Sequence, residues 1–341
     1  MLFQKLLRPL THILQVPGKQ IRAKFAHTFN YWLKVPEYKR VVVKDMAQMF
    51  HYSFLLMDDI QDNSILRRGI PAAHTIYGVA STISAANYLL LRGLKRAQNL
   101  NHPEAMKVCI EKLLEVCCGQ GMYIYRRDNY ICPSFEEYKE MAKRNKDMNM
   151  KHLVLKETGE MFMCEVALMQ LLRENKMDFT RLVGILGLYF QIRDDYCNLC
   201  QEQYSKEKGY CDDLTEGKFC FPIIHAIMSH PNDRQLEITG KILWLCDIIQ
   251  HLNISLDCNR TDILRQRTRD VELKKYCITL LEKFGSFSYK RNTLEQLDAA
   301  LRAEVAKLGG SPLLEAFLDE LLTWKGGEKT ISQSGEDLVL P

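Results

Sequence analysis

The chain is poor in the features that mark several protein classes. No apolar run is long enough to cross a membrane. Glycine (18) and proline (10) are sparse in 341 residues, and neither a long linker nor a short-period repeat stands out. No alternating apolar–polar run is flanked by Asn-Gly or Asp-Gly, which argues against a sheet built from hairpins. A concentrated basic block is missing and the formal net charge is only +4, too little for binding nucleic acid by charge. The 12 cysteines are scattered. Cys197-Asn-Leu-Cys200 has the CxxC form, but without a second CxxC or a histidine pair it reads as helix packing, not a zinc or redox site. Many unpaired cysteines suit a reducing compartment, and the start, MLFQKLLRPLTHIL, is broken by Lys5, Arg8 and Pro9. The expected setting is cytoplasmic, without a transmembrane segment.

What is present is helical periodicity in a composition 47% apolar. A short amphipathic start over Leu6 to Leu14 precedes the breaker Pro17-Gly18. The spacing predicts helices over 20–34, 38–64, 81–98, 103–126, 158–173, 178–204, 221–229, 262–282, 290–307 and 312–323. Ser134 and Glu137 are placed to form a capping box. The expectation is one all-α domain over 1–341, with its core over 17–308. Residues 143–152 and 232–261 fit the pattern poorly and read either as surface insertions or as gene-model errors.

Two acidic clusters carry the chemistry. Asp58-Asp59-Ile60-Gln61-Asp62 and Asp194-Asp195-Tyr196-Cys197-Asn198 each sit in an apolar stretch of helical period. Asp58 and Asp62 are four residues apart and share a helix face, as do Asp194 and Asn198. Buried carboxylates require a cation. Two such faces meeting across a bundle present oxygen ligands suited to Mg²⁺, which prefers to share its shell with phosphate oxygens. Arg67 and Arg68 follow the first cluster; Gln191 and Arg193 precede the second, and Lys208 and Lys218 follow it. Basic neighbours point to a metal–diphosphate complex.

The segments PGKQIR, MDDIQDNSILRRG, GQGM, FQIRDDYCNL, DLTEGKFCFPIIHAI, ILRQRT and GSFSYKRNTL together resemble the trans-isoprenyl diphosphate synthases, most of all the animal and fungal geranylgeranyl diphosphate synthases. The resemblance implies an isoprenoid-synthase-type helical bundle around a central apolar cavity, three Mg²⁺ per site, and a homodimer or larger homo-oligomer. It implies Asp58, Asp59 and Asp62 as the first metal motif, and Asp194 with Asp195 and Asn198 as the second. Lys19, Arg22, His51 and Arg68 match residues that hold isopentenyl diphosphate. Arg67, Thr158, Gln191, Lys208 and Lys218 match residues around the allylic diphosphate. The catalytic set so implied is Asp58, Asp62, Asp194, Lys208 and Lys218.

The chain also departs from that family. Phe54 stands one helical turn before Asp58, where long-chain members carry a small residue. With Tyr52 it is expected to shorten the product pocket; the alternative is that Phe54 only packs the core. Glu157 stands where a phosphate-facing lysine is usual, unless a local shift lets Lys156 take that place. A carboxylate about 6 Å from a phosphate charge costs roughly 2–3 kcal/mol at an effective dielectric near 20. Tyr123 replaces an acidic residue, and Arg126 a tryptophan. These changes, with both Asp motifs kept, lead to the expectation of a diverged terpene synthase converting geranyl diphosphate to an acyclic monoterpene of the ocimene or myrcene type. Residual prenyl transfer can accompany it. One alternative is a geranylgeranyl diphosphate synthase condensing isopentenyl diphosphate with allylic diphosphates. Another is a non-catalytic partner subunit of a second synthase.

Overall fold

Apolar residues recurring every three to four positions bury one face of each segment as a helix. The computed structural model describes residues 2–16, 18, 21–140, 158–173, 176–229 and 267–327. In chain order the elements begin with α1 (Leu2–Leu6), α2 (Arg8–Ile13), α3 (Ile21–Leu33) and α4 (Glu37–Gln61). A short hairpin, β1 (Leu66–Arg67) and β2 (Ile70–Pro71), precedes α5 (Ala73–Tyr77), α6 (Val79–Gln98), α7 (Ala105–Asp128) and α8 (Phe135–Glu140). Next come α9 (Thr158–Leu171), α10 (Thr180–Cys200), α11 (Glu202–Glu207), α12 (Asp212–Glu216) and α13 (Phe221–Ser229). The described chain ends with α14 (Val271–Lys283), α15 (Ser286–Lys307), α16 (Pro312–Leu321) and a 3₁₀ turn, Leu322–Gly327.

The axis of the bundle is α10. Side chains all round its second half, from Leu186 to Leu199, are buried apart from Gln191 and Asp194, a pattern that only a helix surrounded by others shows. Helices α9, α12, α13 and α15 pack on it. Helix α4 packs on α6 and α9, and α3 on α9 and α16. Phe25 of α3 stacks on Phe162 of α9 with centroids 4.1 Å apart, tying those helices together. The cavity described below opens where α3, α4, α9 and α10 meet.

The predicted capping box forms: the Glu137 N–H donates to Ser134 Oγ at 3.1 Å, and the Ser134 N–H to Glu137 Oε2 at 2.8 Å. Several boundaries differ from expectation. The helix expected over 178–204 breaks at Gln201, whose backbone is extended (φ −107°, ψ 124°), and α11 starts there in a new direction. The first acidic helix stops at Gln61, with Asp62 as its C-cap. Helix α14 begins at Val271 because the Asp270 carboxylate accepts the N–H groups of Glu272 and Leu273. The β1–β2 hairpin was not expected. Its two turn residues, Arg68 (φ 56°) and Gly69 (φ 79°), both take the left-handed conformation that a tight hairpin turn requires. The segments 143–152 and 232–261 lie outside the described residues.

Candidate active site

A cavity of about 530 Å³ lies between the two acidic helices. One stripe of α4 faces it, Gln48, His51, Tyr52, Leu55 and Asp58, together with the helix's C-cap Asp62. From α10 come Phe190, Gln191, Asp194 and Asp195. The two acidic motifs, far apart in sequence, thus share one wall-to-wall space.

At its charged end, Arg67 leaves the hairpin and binds the first motif. Its Nε donates to Asp59 Oδ1 at 2.6 Å and its Nη2 to Asp58 Oδ2 at 3.1 Å. Asp59 is buried and does not line the cavity. It anchors Arg67 from behind, and burial raises its carboxyl above the ordinary value despite that arginine. Asp62 pairs with Arg127, whose Nη2 also donates to the Gln61 carbonyl at 3.1 Å. Burial, then the nearby charges of Asp58 and Glu216, push the Asp62 carboxyl well up.

On α10 the adjacent aspartates differ in role. Asp195 is fully buried and accepts from Tyr138 Oη, Gln191 Nε2 and the Phe221 N–H, each at 2.9 Å, with Lys218 Nζ 3.1 Å away. Both its oxygens are engaged inside the fold. Asp194 faces the cavity; burial opposes its charge, but Lys208 and Lys218 outweigh that and hold its carboxyl below the ordinary range. Burial likewise works against the Lys208 ammonium, and Asp194 overcomes it. Asn198 is corrected by the geometry. It is buried away from the cavity, and its Oδ1 accepts the Asp213 N–H at 3.1 Å, fixing the start of α12.

Arg22, His51 and Arg68 also line this cavity. Burial, then Arg22, Arg68 and Arg67, hold the His51 imidazole well below its usual pKa, so it is neutral. Arg68 Nη1 donates to the Val16 carbonyl at 2.8 Å, and a Cβ on Gly18 would come within 2.7 Å of Arg68 Nη2. A side chain at 18 would therefore push the flexible end of Arg68 aside. Lys19 and Glu157, and the Thr158 side chain, lie outside the described residues.

Of the expected pocket residues, Tyr52 and Tyr123 line the cavity; Arg127 lies over the Tyr123 ring at 5.4 Å. Phe54 does not. It is half-buried and packs against the main core. The helix turns about 100° per residue, and Leu55 holds the inward position that one-turn spacing from Asp58 assigned to Phe54. Sequence reasoning also missed Arg127, Glu216 and Glu165, all on or beside this cavity. For Glu165 a signal existed: it is the only charged residue in the apolar run 161–172.

The donors fit a divalent ion. Among the described residues no ready-made group of three or more metal-ligating side chains is assembled. Mg²⁺ does not need one, since one or two carboxylates with substrate phosphates suffice. Asp58, Asp62 and Asp194 supply hard oxygens on one cavity, and a cation there would offset the burial and the neighbouring carboxylates that raise Asp62. No helix among the described residues is long and apolar enough to cross a membrane.

Comparison with known proteins agrees with this geometry. Residues 3–241 match the polyprenyl synthetase family. The chain is 59% identical over 321 residues to a terpene synthase of Matsumurasca onukii, covering 94% of each chain. It is 40% identical over 316 residues to a geranylgeranyl pyrophosphate synthase of Mucor circinelloides, covering 93% of this chain and 92% of that one. To a geranylgeranyl pyrophosphate synthase of Gibberella zeae it is 41% identical over 317 residues, with 92% and 76% covered. Two acidic helices facing each other across a lysine- and arginine-lined cavity, in a chain of this similarity, make it a member of the polyprenyl synthetase family and an enzyme of the prenyltransferase or terpene synthase kind.

Proposed function

We propose that this enzyme ionises geranyl diphosphate and releases an acyclic monoterpene of the ocimene or myrcene type, with some prenyl transfer retained. One observation carries the reading: Asp58, Asp62, Asp194, Lys208, Lys218 and Arg67 surround one end of a cavity walled elsewhere by Ile21, Ala26, Leu55, Phe162 and Phe190. A diphosphate fits the charged end and a short hydrocarbon tail the apolar wall. The 59% identity with a terpene synthase across almost the full chain favours the lyase outcome over transfer.

In this reading Asp58, Asp62 and Asp194 hold Mg²⁺, three ions per site, with Asp59 and Asp195 fixing Arg67 and Lys218 from behind. The metal, when bound, supplies Lewis-acid neutralisation of the leaving diphosphate. Lys208, Lys218 and Arg67 add fixed positive charge where negative charge builds, at no cost of reorganisation. The C1–O bond breaks with its electron pair going to the diphosphate. The allylic cation is left beside apolar side chains. Loss of a proton completes the product.

A second reading has its own support. Arg22, His51 and Arg68, expected around isopentenyl diphosphate, all line this cavity, as a geranylgeranyl diphosphate synthase requires. Either reading carries a homo-oligomer and a cytoplasmic setting, which sedimentation and fractionation test. The enzyme is incubated with Mg²⁺ and geranyl diphosphate, with and without isopentenyl diphosphate, and volatiles and dephosphorylated prenols are identified by gas chromatography–mass spectrometry. A hydrocarbon from geranyl diphosphate alone establishes the lyase. Longer prenols appearing only with isopentenyl diphosphate reject it for the synthase.

A further inference from the structure

Glu165 is left over once the ionising residues have their roles. It sits on α9, is 2% exposed and lines the cavity; among the described residues neither carboxyl oxygen has a hydrogen-bond partner. Phe162, one turn before it, and Phe190 of α10 line the same cavity, with ring centroids 5.3 Å apart. A buried carboxyl without hydrogen-bond partners is costly to keep in a fold. No cap, turn or ion pair on the described chain uses it. A group of this kind in a cleft points to chemistry.

We infer that Glu165 is the proton acceptor that ends the reaction, taking a proton from the prenyl cation so that the product leaves as an alkene. This rests on the lyase reading above. The step balances without oxidant or reductant. A C–H bond next to the cationic carbon breaks, its electron pair becomes the new C=C bond, and the proton passes to a Glu165 carboxylate oxygen. The diphosphate, already holding the electron pair of the C1–O bond, or water takes that proton when product leaves.

The surroundings suit such a base. Burial pushes the carboxyl up to about 8, and Arg22 of α3 is the charge that pulls it back. A carboxylate there is far more basic than a surface one and titrates near working pH. The other titratable groups nearby are few. His51 of α4 lines the cavity in its neutral form. On α9 itself, Cys164 feels both Glu165 and Lys112 of α7.

The test follows two products of one reaction. Wild type, Glu165→Gln and Glu165→Asp are given Mg²⁺ and geranyl diphosphate; diphosphate release reports ionisation, and gas chromatography–mass spectrometry reports hydrocarbon against alcohol. Circular dichroism confirms the fold of each variant. Glu165→Gln is expected to keep diphosphate release while hydrocarbon falls at least about tenfold and water-captured alcohol replaces it. Glu165→Asp restores part of the hydrocarbon. The wild-type hydrocarbon fraction rises with pH towards about 8, and that of Glu165→Gln is flat. An unchanged hydrocarbon fraction in Glu165→Gln overturns the inference, and so does loss of diphosphate release in step with hydrocarbon. If wild type itself makes no hydrocarbon from geranyl diphosphate, the lyase reading fails first, and that result is read before any variant is made.

Discussion

Replacing Glu165 by glutamine tests the site without turnover, through the pH dependence of stability. In the fold its carboxyl is raised from the ordinary 4.5 to about 8, first by burial and with Arg22 opposing. A carboxyl raised in this way binds more protons in the folded chain than in the unfolded one between those two values. Stability therefore falls as pH rises through that window. At 1.36 kcal/mol per pH unit the full loss is roughly 5 kcal/mol above pH 8, of which roughly 3 is already present at pH 7. Below about pH 4.5 the contribution vanishes, because both states are protonated. Glutamine has nearly the same shape and cannot ionise. Urea unfolding of both proteins, free of metal and substrate, is compared from about pH 5 to about pH 8.5. Near pH 5 they should differ by about 1 kcal/mol or less. Towards pH 8.5 the glutamine protein should gain steadily, by several kcal/mol. A difference that stays constant across the range would refute the reasoning, since the Glu165 charge would then be satisfied inside the fold.

The remaining predictions concern neighbours of the same cavity. Asp195→Asn should cost roughly 3–5 kcal/mol in urea unfolding, because one amide cannot serve Tyr138, Gln191, the Phe221 N–H and Lys218 together. Asp194→Asn should also cost roughly 3 kcal/mol in urea unfolding, because it leaves the buried Lys208 ammonium without its main partner, and should abolish Mg²⁺-dependent diphosphate release; retained release would remove the role given to Asp194. Phe54→Ala should leave product length unchanged while lowering stability by about 2 kcal/mol, whereas Leu55→Phe should shift preference to shorter substrates, as judged by product profile. Gly18→Ala places a Cβ where the flexible end of Arg68 lies, so the unfolding temperature should hardly move while isopentenyl-dependent product formation falls several-fold.

Much of the architecture could be read locally. Apolar spacing placed most of the described helices to within a few residues, and the Ser134–Glu137 capping box formed as its spacing suggested. The errors came where local rules compete with packing. The hairpin turn at Arg68-Gly69 has no Asn-Gly or Asp-Gly signature, and its backbone is held by the Gly69 N–H donating to the Glu207 carbonyl at 2.8 Å, a contact across the chain. Gln201 interrupts a helix that periodicity alone continues, and thereby brings Lys208 back to Asp194.

Sequence alone determined that two helices carry acidic faces and that basic residues follow each. Four-residue spacing on a helix is a local geometric fact, and no partner is needed to make it true. Only the tertiary structure decided which of those acids meet the cavity. A helix face is buried against whatever packs on it, so Asp58, Asp62 and Asp194 open onto the cavity while Asp59 and Asn198 are spent on holding Arg67 and the start of α12. The same packing turned Leu55 inward in place of Phe54, and left Glu165 facing the cavity with no partner among the described residues.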